Sequence, residues 1–147
     1  MKKILIVFAF FFGLQISAQA QADIQINPIA ILFGGIQFSA DFLLSETGSV
    51  ELSTIAGEDV FGFYGAGKYY FNPREGADRF YIGAFAGGGT DLGGGVGFLL
   101  GQKWLSTKGV SFELAIGVGR SFGGDFDVIP YGKLAVGYRL GEKRDSD

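Results

Sequence analysis

From Val110 to Arg120 the chain alternates without a break. Val110, Phe112, Leu114, Ile116 and Val118 take the even positions, and Ser111, Glu113, Ala115, Gly117 and Gly119 the odd ones. A period of two means a β-strand with one apolar face and one small or polar face. A chain that repeats this pattern folds as sheet, and the face that turns inward decides what kind of protein results.

Most of the chain does repeat it. From Gln21 onward no helical period stands out, and strand candidates alternate with turn signals. The first runs from Ile24 to Phe33 and carries an awkward Pro28, best tolerated in a terminal strand or a bulge. The second, Ile36 to Leu44, sets Ile36, Phe38, Ala40, Phe42 and Leu44 against Gln37, Ser39 and Asp41. The third, Ser49 to Ala56, sets Val50 and Leu52 against Glu51 and Ser53. In the fourth, Val60 to Phe71, Phe61, Phe63, Tyr69 and Phe71 oppose Tyr64, Ala66, Lys68 and Tyr70. The fifth, Arg79 to Gly87, is too apolar for its faces to be chosen. The sixth, Leu92 to Leu105, sets Val96, Phe98, Leu100 and Trp104 against Gly95, Gly97, Gly101 and Lys103. Val110 to Arg120 is the seventh. The eighth, Val128 to Leu140, sets Leu134, Val136, Tyr138 and Leu140 against Lys133, Ala135, Gly137 and Arg139. About eight antiparallel strands with short connections predict a closed up-and-down barrel, which leaves no sheet edge exposed.

The first 20 residues fall outside that pattern. Lys2 and Lys3 precede an apolar run from Ile4 to Leu14, and Ala18-Gln19-Ala20 follows. This predicts a secretory signal peptide cleaved after Ala20. The barrel then occupies residues 21–140, and residues 141–147 form a charged tail. Residues 1–20 hold two lysines and no acid, so cleavage takes the net charge from −3 to −5, which argues against a nucleic-acid partner. With no cysteine in the chain, export brings no disulfide and no lipid-modified anchor.

Alternation alone does not orient the barrel. A soluble, lipocalin-like barrel turns its apolar face inward around a ligand, whereas a transmembrane barrel inverts this. The polar face here is mostly Gly, Ala and Ser, and glycine weakens a water-facing strand. Small residues, with a few charges able to pair, suit the crowded interior of a narrow barrel. Tyr69, Phe71, Phe80, Trp104 and Tyr138 fall near strand ends, where an interfacial girdle would stand. The preferred expectation is an all-β, eight-stranded antiparallel up-and-down transmembrane β-barrel. The alternative is a secreted soluble barrel that binds an apolar ligand.

Four segments bear on this choice: Ile26-Asn-Pro-Ile-Ala-Ile-Leu-Phe-Gly34, Lys68-Tyr-Tyr-Phe71, Phe80-Tyr-Ile-Gly-Ala84 and Val136-Gly-Tyr-Arg-Leu140. With them the chain resembles an uncharacterised family of small outer-membrane β-barrels of bacteroidete-type bacteria. The resemblance implies an outer-membrane location, outer-membrane lipid and the barrel-assembly machinery as partners, and no catalytic residues. Such barrels typically end on an aromatic residue. Here Leu140 stands there, followed by seven more residues.

Chemistry finds little purchase. Gly62-Phe-Tyr-Gly-Ala-Gly-Lys68 matches G-x-x-x-x-G-K, but Tyr69 replaces the metal-binding Ser or Thr and no helix follows. There is no histidine, so histidine-dependent hydrolysis and His or Cys zinc sites are excluded. Asp41 and Glu51 fall on neighbouring strands, facing inward. Paired carboxylates can do acid–base work, but lysines on nearby strands favour ion pairing. Asp125 and Asp127 are too few for a calcium site. The expectation is therefore no enzyme, no cofactor and a monomer, with a structural role or one carried by the outer loops.

With the N-terminus of the barrel at the periplasmic end, the inward charges cluster there. Asp41, Glu51, Lys68, Lys103, Glu113 and Arg139 sit near that end of their strands, and Lys133 sits nearer mid-barrel. Buried charges must pair or neutralise, which predicts an ion-paired plug with Lys133 or Arg139 as a partner of Glu113.

Overall fold

The computed structural model describes residues 21–32, 34–90, 93–125 and 127–141. The expected signal peptide, and all of the charged tail but Gly141, lie outside them. Eight strands follow in order: β1 (Ala22–Asn27), β2 (Gly35–Leu43), β3 (Gly48–Gly57), β4 (Phe61–Tyr70), β5 (Arg79–Gly89), β6 (Gly93–Leu105), β7 (Val110–Phe122) and β8 (Val128–Leu140). Each pairs antiparallel with its neighbours in sequence, and β8 returns to β1, so the sheet closes as an up-and-down barrel.

Register partners give the stagger of the closure. Ala22 leads through Phe42, Val50, Gly67, Ala84, Phe98 and Val118 to Pro130. Its actual partner on β8 is Leu140, a stagger of ten residues. Eight strands so staggered tilt by about 40° and enclose a lumen only wide enough for side chains.

One element departs from the sequence reading. The first strand was expected to reach Phe33, but β1 stops at Asn27 and a helical turn, α1 (Ile29–Leu32), follows. Pro28 cannot donate to a ladder. The Asn27 side chain then accepts from Ile29 N–H at 3.1 Å and starts the turn.

Burial alternates along the strands, with small residues, charges and a few rings inside and most large apolar residues outside. Ile24, Ile36, Phe63, Phe98, Leu114, Ile116 and Val136 are exposed, whereas Asp41, Glu51, Lys103 and Glu113 are fully buried. β5, whose faces were undecided, buries Tyr81 and Phe85 and exposes Phe80 and Ile82. Inward glycines make the room. A Cβ at Gly97 would lie 2.6 Å from the Phe85 ring, and one at Gly101 would lie 2.6 Å from that of Tyr81. The lumen thus carries Phe85, Leu99, Ala115 and Tyr131 in one half, and the charged residues in the half next to Ala22 and Leu140.

Candidate functional site

The charged layer is built by strand register. Asp23, Asp41 and Glu51 are successive partners across β1, β2 and β3. Three acids in a row along one wall would repel one another. Lysines from other strands reach across the lumen to them. Lys68 of β4 contacts Glu51, lies 3.1 Å from Asp41 and lies 2.7 Å from Glu113. Lys103 of β6 contacts Asp41 and lies 3.0 Å from Asp23 and 3.7 Å from Glu113. Lys133 of β8 lies 2.8 Å from Glu51 and 3.3 Å from Glu113. The side chains of these lysines and carboxylates have no exposure to solvent.

Arg139 does separate work. Its guanidinium grips Asp23 with two bonds, of 2.6 and 2.9 Å, across the β1–β8 seam. It also donates to the carbonyls of Gly76 at 2.6 Å, Glu75 at 3.3 Å and Ala77 at 3.4 Å. Those residues belong to the connection 71–78, and Ala77 is fully buried. Asp78 shapes that connection by accepting from the N–H groups of Arg74 and Glu75, at 2.7 and 3.0 Å. Ala77 N–H donates to Glu46 O at 2.8 Å. The connection therefore folds back over the end of the lumen, held there by Arg139.

The seven charges singled out in the sequence thus meet in one layer, with one difference of partnership. Lys133, set nearer mid-barrel, reaches the layer because a lysine side chain is long. Glu113 has Lys133 beside it but not Arg139, which is committed to Asp23. The sequence reading also missed three members. Asp23 fell just before the expected start of the first strand, although Asp23, Gln25 and Asn27 alternate cleanly with Ile24 and Ile26. Gln25 donates to Glu113 at 2.9 Å and accepts from Lys133 at 2.8 Å. Tyr81 donates to Glu113, and was hidden by the undecided faces of its strand.

With Asp23 included, four carboxylates face four cations, so the formal charges cancel. One oxygen from each of Asp41, Glu51 and Glu113 comes within 4.8 Å of the others, a spacing open to a metal ion. The Lys68 ammonium already sits against all three. The G-x-x-x-x-G-K match is the inner and outer faces of β4, with Lys68 in this layer and no helix after it. Asp125 and Asp127 are exposed in the connection 123–127. Every carboxylate of the layer is engaged by a cation, which leaves none placed as a free general base.

Fold and site together define a closed eight-stranded barrel with a charge-balanced interior and an apolar exterior. Searches of family models, of curated proteins and of solved structures found no match to the chain.

Proposed function

We propose that the protein is a small, non-enzymatic outer-membrane β-barrel whose lumen is filled by side chains and whose role is structural. One observation carries this reading: the polarity of the barrel is inverted. Lysines and carboxylates are buried in the middle, while the outer wall is dominated by Ile, Val, Leu and Phe, with Phe98 76% exposed. In water such a surface would drive aggregation; in a bilayer it faces its own solvent. Outward aromatics support the same reading. Tyr69, Phe71 and Phe80 pack together near one end, as do Trp104 and Phe112, with ring centroids 5.2–5.7 Å apart, where an interfacial girdle belongs.

No helix among the described residues is long and apolar enough to cross a membrane, so the strands would carry the crossing. The family resemblance points to the same location. The connections away from Ala22 and Leu140 span residues 28–34, 58–60, 90–92 and 123–127. Loops so short offer little surface for a partner, which favours a structural role over a loop-borne one.

Extraction tests the location. The protein should stay with the outer-membrane fraction through carbonate and urea washes and be released only by detergent. Release into either wash without detergent would favour the secreted soluble barrel.

A further inference from the structure

The β1–β8 seam that closes the barrel is paired over only part of β8. β1 pairs with β8 only from Ala22↔Leu140 to Ile26↔Val136, because β1 ends at Asn27 while β8 continues to Val128. From Ala135 back to Val128, β8 has β7 on one side and, among the described residues, no strand on the other. α1 packs against β2, and among the described residues no main-chain bond runs from it to β8.

Two bonds set the phase of this edge. Ser121 N–H donates to Asp127 O at 3.0 Å, and Arg139 N–H to Gly109 O at 2.8 Å. Antiparallel ladders alternate, so odd residues of β8 bond to β7 and even residues point their main-chain groups the other way. Val136, Tyr138 and Leu140 find β1 there. Pro130, Gly132 and Leu134 find the gap. Pro130 has no N–H to waste, and an edge is where a strand tolerates proline. A Cβ on Gly132 would meet nothing within 4 Å.

We propose that the segment Pro130–Leu134 pairs with the same segment of a second copy, antiparallel about a two-fold axis at Gly132. The inference rests on the membrane reading, because water would satisfy a free edge and lipid would not. The pattern of donors fits a second copy. Gly132 and Leu134 supply N–H groups, and Pro130 takes part as an acceptor. No charge guards the outer face of β8 here, whereas edges that must stay single are guarded by lysine or other charges. An isologous contact of this kind closes on itself and needs no other component. It replaces the monomer expected from sequence with a two-fold dimer.

The chain has no cysteine, so one introduced thiol reports alone. Gly132→Cys in intact membranes should give a covalent dimer with a short thiol–thiol cross-linker. Phe63→Cys, facing outward on β4 across the barrel, should not. Leu134→Pro removes a donor that serves no main-chain bond among the described residues. It should convert the detergent-extracted dimer to a monomer while keeping the heat-dependent gel shift of a folded barrel. Should that variant fail to fold, the two cysteine variants decide alone. Equal cross-linking at both positions, or a monomer carrying a retained lipid in native mass spectrometry, would overturn the dimer. Membrane and wash fractions are scored separately. Protein found in the wash defeats the membrane reading, whereas uncross-linked protein in the membrane defeats only the pairing.

Discussion

Glu113 sits where three lysines converge. It accepts from Lys68 at 2.7 Å and from Gln25 at 2.9 Å, accepts from Tyr81, and has Lys133 at 3.3 Å and Lys103 at 3.7 Å. Such a layer need not add much net stability, because each ion lost its water on burial. Removing one charge is another matter, since its partners stay buried. Glu113→Gln should destabilise the barrel by about 3–5 kcal/mol in urea titrations of vesicle-reconstituted protein. Adding Lys133→Met should cost less than the two separate losses summed, by about 0.5–3 kcal/mol. Arg139→Met should couple to Glu113→Gln more weakly than Lys133→Met does, because Arg139 reaches Glu113 only through Asp23 and Lys103. Additivity with Lys133 would mean that Glu113 is solvated. The sequence made the inward parity of these residues legible, because parity follows from a period of two. It left their partners open. Which cation a carboxylate meets depends on how far a flexible side chain reaches across the lumen, and no local pattern records that reach.

At the scale of the element, β7 separates the packed lumen from the surroundings of the barrel. Ala115 is 1% exposed and Leu114, its neighbour, 47%. Ala115→Leu should overpack the lumen opposite Lys133, its register partner, at a cost of about 1–3 kcal/mol. Leu114→Arg reports on what lies outside. In a bilayer an outward arginine near the midplane costs about 2–4 kcal/mol, whereas in water a half-exposed site would accept it. Vesicle titrations in which Leu114→Arg is neutral would argue against a lipid-facing wall. The strands differ in how plainly they announce their faces. β7 does so from Val110 to Gly119. β5 does not, because Phe80 and Ile82 outside and Tyr81 and Phe85 inside are alike in chemistry. Its orientation comes from across the ladder, where Gly97 and Gly101 leave room for the inner rings. β1 misled for a local reason. Ile29-Ala-Ile-Leu32 is as apolar as any strand, and a single proline with an Asn cap turns it into α1.

Across the whole molecule three barriers lie in series along the lumen. At the end near Ala22 and Leu140, the connection 71–78 closes over the opening under Arg139. Next comes the charged layer, in which lysines bridge opposite walls. Beyond it are the aromatic side chains. There Tyr64 and Tyr131 share a 2.9 Å hydrogen bond, and Phe85 packs on Tyr131 at a ring-centroid distance of 5.1 Å. The same inward glycines that lighten the wall are filled by these rings, so the many glycines do not add up to a channel. An eight-stranded barrel has no width to spare around such side chains. The protein should therefore show no steady ion conductance in planar bilayers. The barriers are redundant, which sharpens the test. Arg139→Met releases the 71–78 connection but leaves the lysine layer and the aromatic rings in place, so this variant should be as silent as the parent. Porin-like steps in the variant alone would make that connection the sole gate and the inner layers permeable. Steps in the parent would mean that the lumen is open in the membrane, and that the ion pairs line a path for ions instead of blocking one.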